Sequence, residues 1–76
     1  MNRILLLKFK NCVKNKESYF NKFVTNSGDI LLVQKWQYLS VFDITHLDKT
    51  GKTIKNIYDN LYPFDCFNMI EELMVN

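Results

Sequence analysis

The 76-residue chain predicts an α+β fold: a small antiparallel sheet of four or five strands, with one C-terminal helix packed on one face. Three observations carry this expectation. The last twelve residues repeat apolar side chains at helical spacing. The middle of the chain alternates apolar and polar residues between turn signals. No repeat and no proline-, glycine- or serine-rich linker interrupts residues 1–76, which therefore read as a single compact domain.

Taken in order, "LLLKFKNCV" (residues 5–13) alternates from Leu7 to Phe9 and reads as a first strand. "ESYFNKFV" (17–24) places Tyr19 with Phe23 and Phe20 with Val24 at helical spacing, yet its aromatic residues favour sheet, and a strand is the preferred reading. "GDILLVQKW" (28–36) reads as another strand, introduced by the turn signal Asn26-Ser27-Gly28-Asp29. Residues 30–46 contain neither glycine nor proline, so the chain either bends near Gln34–Trp36 or continues as one long strand.

Residues 37–58 read as a β-hairpin. "QYLSVFDITH" sets Tyr38, Phe42 and Ile44 on one face and Leu39 and Val41 on the other. The return segment "KTIKNIYD" sets Ile54 and Tyr58 on one side and Lys55 on the other. Between them, "LDKTGKT" (47–53) ends like a phosphate-binding loop. Such a loop needs a second glycine at position 46, where this chain has His46, and a helix directly after it, where this chain has β-branched alternation. Asp48 opening a turn and Gly51 closing it at positive φ fit a hairpin connection. The C-terminal "DCFNMIEELMVN" has Cys66, Met69, Ile70 and Leu73 on one helical face, widened by Phe67 and Met74. With Asp65 as N-cap and Pro63 before it, the helix is expected over about 65–75.

Composition narrows the function. The chain is 47% hydrophobic and 14% aromatic, enough for a compact core, but a domain this short buries only roughly 60% of its unfolded surface. A protein partner, or a homo-oligomer, can supply the missing burial. Nine lysines and nine asparagines stand against one arginine and no alanine, the signature of an AT-rich genome: a low-GC bacterium, its phages or plasmids, an AT-rich eukaryote or a giant virus. In such a genome so short a chain is often phage or mobile-element cargo. Only four apolar residues, Ile4 to Leu7, run together near the N-terminus, too few for a signal peptide or a bilayer span, so a cytoplasmic protein (in the host cytoplasm if phage-encoded) without membrane contact is expected. Cys12 and Cys66 are too far apart for a zinc motif and do not form a disulfide framework, so two reduced thiols are expected.

No catalytic set is visible. His46 is the only histidine, and a hydrogen-bonded or solvated turn residue is its expected role. Glu71 and Glu72 are sequence neighbours on a helix and diverge by about 100°. The acids show no metal-ligand spacing, and no cofactor or metal is expected. Cys66 at a helix N-terminus is a minor candidate for a reactive thiol.

Two features remain. The aromatic content exceeds what so small a domain can bury, and Trp and Tyr are favoured interface anchors. The leading expectation is therefore a non-enzymatic protein-binding module, a small inhibitor or modulator that occupies the surface of a host enzyme or nucleic-acid-handling machine. Trp36, Tyr38 and Tyr62 would be its anchors, and the acidic Asp59, Asp65, Glu71 and Glu72 would meet a basic channel. The alternative is single-stranded nucleic-acid binding through residues 8–23, where Lys8, Lys10, Lys14, Lys16 and Lys22 would neutralise phosphates while Phe9 and Tyr19 stack on bases. Charge is split between the halves: residues 1–38 hold seven basic side chains against two acidic ones, and residues 39–76 hold three against six.

Overall fold

The computed structural model describes residues 3–75. The element order is α1 (Ile4–Lys14), β1 (Tyr19–Val24), β2 (Ile30–Lys35), β3 (Phe42–Leu47), β4 (Ile54–Leu61) and α2 (Pro63–Met74). The strands form one antiparallel meander in the order β1-β2-β3-β4. The α+β class and the antiparallel sheet stand; of the four or five strands expected the sheet has four, and the fold has two helices rather than one C-terminal helix.

The first helix corrects the reading of residues 5–13 as a strand. A two-residue alternation at Leu7–Phe9 is too short to outweigh the longer pattern Leu5, Leu6, Phe9, Cys12, Val13, whose steps of three and four residues put all five on one helical face. Leu6 and Phe9 are buried, and Leu5, Cys12 and Val13 pack beside them. The helix ends without a glycine. Lys16 adopts a left-handed conformation (φ 55°), and the amides of Lys16 and Glu17 turn back to the carbonyls of Val13 and Cys12 at 3.2 and 2.9 Å. This is the double closure of a Schellman motif, with a lysine where glycine is usual.

Within residues 17–24 the chain forms a strand, as expected, over Tyr19–Val24, and it bends after Lys35. β3 begins at Phe42 rather than at Gln37, so Tyr38 and Leu39 lie in the β2–β3 connection instead of on sheet faces. The hairpin turn is as expected. Asp48 O accepts from Gly51 N (2.9 Å), Asp48 Oδ1 accepts from the Thr50 amide and hydroxyl, and Gly51 sits at φ +75°. Ile54 and Tyr58 do not share a side. A register shift between His46 and Leu47 pairs Ile54 with Leu47 but Tyr58 with Ile44. A second shift between Phe42 and Ile44 sets Asp59 and Asn60 opposite Asp43, with Asn60 at φ 58°. In α2, Pro63 is the first helical residue and Tyr62 the cap; Asp65 lies inside the first turn, where its charge suits the free amides but is not the N-cap.

Both helices cover one sheet face. Alternation along β2 buries Leu31, Val33 and Lys35, and along β3 buries Phe42 and Ile44; Cys66, Phe67, Ile70 and Leu73 of α2 close the core from above. Phe9 stitches the layers together. Its ring meets Tyr19 edge-on at 5.1 Å and Phe42 at 4.6 Å, and Tyr19 meets Phe42 at 5.8 Å.

At the turn end of the sheet, Asp29 ties three strands. Its Oδ2 accepts from Lys55 Nζ (2.8 Å) and from His46 Nε2 (2.9 Å); an ionised carboxylate only accepts, so that imidazole nitrogen carries the proton. The Lys55 hydrogen bond first, then that of His46, holds the Asp29 carboxyl below its ordinary value. A carboxyl held low in the folded state stabilises above the unfolded value of about 3.9 and loses that contribution as pH falls through the folded value. In urea titrations across pH 2–5, Asp29→Asn should therefore flatten the acid limb of the stability curve; a variant whose limb matches wild type would remove Asp29 from acid unfolding.

Candidate functional site

The end of the sheet opposite Asp29 gathers the exposed aromatics. Pairing of Gln34 with Asp43 and of Phe42 with Leu61 brings the C-terminus of β2, the N-terminus of β3 and the C-terminus of β4 to one end. Trp36 and Tyr38 project from the β2–β3 connection there, 68% and 75% exposed, and Tyr62 follows β4 at 60%. Leu39, Phe20 and Phe64 are exposed as well. A groove of about 180 Å³ beside the connection is lined by Ser18, Tyr19, Phe20, Gln34, Lys35 and Trp36.

What holds this connection is Lys35. Its place in the alternation Leu31, Val33, Lys35 points the side chain to the helix-covered face, and only 3% of the residue is exposed. There Nζ donates to Trp36 O (3.0 Å), Gln37 O (3.2 Å) and Leu39 O (3.0 Å). An ammonium has three protons, and each has its carbonyl. The Leu39 amide also closes on Trp36 O at 3.1 Å. The backbone between two exposed aromatics is thus folded around a buried cation.

The expected acidic partners are divided. Asp65 lies in the first turn of α2 and Asp59 near the end of β4, both exposed and at the aromatic end. Glu72, exposed, and Glu71, half-buried, lie near the far end of α2, whose Met74 carbonyl accepts from Asn26 N in the opposite turn. The basic stretch is divided too. Lys10 and Lys14 lie one turn apart on α1, Lys8 on its other flank, Lys16 in the turn after it and Lys22 on the uncovered face of the sheet. Phe9, expected to stack on bases under the nucleic-acid alternative, is fully buried, and Tyr19 is half-buried against it. Their faces are used in the core, which accounts for this part of the aromatic content.

Cys66 is buried, and that burial pushes its thiol up to about 12. Burial, then Glu17, also raises Cys12. The hairpin turn directs its Thr50 and Gly51 amides to Asp48 and the Lys52 amide to Thr50 Oγ1, in place of the converging donors of a phosphate loop. Among the described residues no cluster of three or more His, Cys, Asp or Glu stands ready for a metal, and no helix is long and apolar enough to cross a membrane.

Comparison with family models, curated proteins and solved structures returns no match for the chain. The sequence led to Trp36, Tyr38 and Tyr62 as candidate anchors, which the structure places exposed at one end, but it counted Lys35 only as a charge. The signal was there: the same two-residue alternation that buries Leu31 and Val33 requires position 35 to face the core.

Two outcomes follow from this geometry. Lys35→Met keeps most of the stem's packing, leaves the Gln37 and Leu39 carbonyls without their donor and Trp36 O with the Leu39 amide alone, so urea denaturation should show a loss of about 1–3 kcal/mol; an unchanged midpoint would mean the ammonium holds nothing. Cys66 should resist a thiol reagent at pH 8 until the chain is unfolded, whereas prompt labelling of the native protein at Cys66 would restore the reactive-thiol reading.

Proposed function

We propose that the protein is a non-enzymatic protein-binding module that acts by occupying a partner's surface, with Trp36, Tyr38 and Tyr62 as its anchors. The observation that carries this reading is the Lys35 clamp, because it presents Trp36 and Tyr38 to solvent on backbone that is already ordered. Ordering a flexible side chain on binding costs about 0.5–1.5 kcal/mol, and a fixed platform avoids part of that loss. Large aromatic surfaces with a polar tip are the residues that most often dominate binding energy.

The partner's chemistry is read from the neighbours. Asp59 and Asp65 flank the aromatic end, so the complementary surface is an apolar depression with a basic rim, as a nucleic-acid-handling enzyme offers. The AT-biased composition fits a small phage or mobile-element inhibitor working in the host cytoplasm.

The test is replacement of Trp36, Tyr38 and Tyr62 by alanine, followed by cross-linking capture of partners from extract of the source cell, with circular dichroism as the control for folding. A protein bound by wild type and lost by the folded triple variant is the expected outcome. A triple variant that keeps both the fold and the captured partner would end this assignment.

A further inference from the structure

The sheet face turned away from the helices is graded along the strands. At the turn end, Val24, Ile30, Leu47 and Ile54 pair across all four strands into one aliphatic row. The next row is Lys22, Leu32, Thr45 and Ile57. The third, toward the aromatic end, is Phe20, Gln34 and Asp43, with the β4 bulge beside it. Val24, Ile54 and Ile57 are each at least half exposed.

We propose that this face binds a second copy of the chain, making a symmetric dimer in which two open sheets lie face to face and the helices form the outer layers. Size is the first argument. The four strands span about 14 Å across and their six to eight residues run about 20–26 Å along. With its flanking side chains the face therefore offers roughly 500 Å² per copy, at the lower limit of about 1,000 Å² in total for a specific interface. The second is that the sheet does not invite extension at its edges. On β1 the Lys22 amide donates to Asn21 Oδ1 (2.9 Å), on β4 the Ile57 amide donates to Asn56 Oδ1 (2.9 Å), and β4 is further broken by its register shifts.

Charge and apolar placement then choose the symmetry axis. A two-fold axis lying across the strands would set Lys22 over its own copy and the aliphatic row over the polar row. An axis along the strands sets β1 over the partner's β4, stacks aliphatic row on aliphatic row, and moves Lys22 over the second copy's Ile57, one row from its Asp59. The same axis brings the two aromatic ends to one end of the dimer, so that the surfaces carrying Trp36 and Tyr38 face the same way.

Sedimentation equilibrium tests this. Wild type should weigh twice the 9.1 kDa chain mass at micromolar concentration. Ile57→Lys should bring a lysine against Lys22 of the second copy and raise the dissociation constant by at least roughly tenfold. Val24→Lys should do the same through the aliphatic row. Both positions are exposed in the single chain, and unchanged circular dichroism verifies the fold. Adding Lys22→Glu to Ile57→Lys should recover most of the affinity. Within one chain these positions are three strand spacings apart, about 14 Å, so the rescue acts between copies. A monomer at all concentrations, a dimer indifferent to both lysine substitutions, or a double variant no tighter than Ile57→Lys alone would each overturn the proposal. Partner capture through Trp36, Tyr38 and Tyr62 does not depend on this face, so the two readings can fail separately.

Discussion

A buried ammonium held by three backbone carbonyls, with no salt bridge to a carboxylate among the described residues, organises one end of this molecule. Removing a lysine charge from water is costly, and it is sustained only where all three protons are engaged. Lys35 meets that condition with the carbonyls of Trp36, Gln37 and Leu39, which lie in the connection that follows the lysine itself. The dependence is mutual. The ammonium needs the connection folded back over it, and the connection, six residues without a glycine or proline, is fixed by these three bonds together with the Leu39 amide on Trp36 O. Among the described residues no buried side-chain nitrogen or oxygen is left without a partner.

The two ends of the sheet are held by opposite charges in opposite settings. At one end a cation gathers backbone carbonyls; at the other the Asp29 carboxylate gathers Lys55 and His46 and joins the β1–β2 turn to β3 and β4. Between them the Phe9, Tyr19 and Phe42 rings lock α1 onto the sheet. With two helices on one face, the aromatics spread over core, half-buried and exposed positions. Phe9, Phe42 and Phe67 are core, while Trp36, Tyr38 and Tyr62 are left to solvent at one end. That division gives the chain a structural interior and a separate surface available for recognition.

Most of the sheet was legible because its signals are local. Gly28 and Gly51 mark turns at positive φ, Asp48 marks the hairpin, and the Leu31–Val33 alternation marks β2. The first helix was not legible in a short window, because Lys8 and Lys10 flanking Phe9 imitate a strand and only the spacing from Leu5 to Val13 reveals the period. Its end was hidden for a different reason: Lys16 takes the left-handed position where a glycine would have announced it, at a cost of roughly 1 kcal/mol that the two returning amides offset. The bulges of β4 carry no glycine either, only Asn60, so the side change between Ile54 and Tyr58 follows from pairing and not from alternation. At the candidate site, exposure of the aromatics followed from their excess. Their shared location depends on strand register, which no residue pattern within one segment encodes.

The most direct test of the central claim is ¹⁵N relaxation on the backbone amides of residues 36–39 and on the Trp36 indole. A connection clamped by Lys35 should give backbone order parameters near ~0.85, like those of the strands it joins. Values below ~0.6 would mean that Trp36 and Tyr38 ride on a mobile loop, that the ammonium does not hold its three carbonyls, and that the surface is not built in advance of binding.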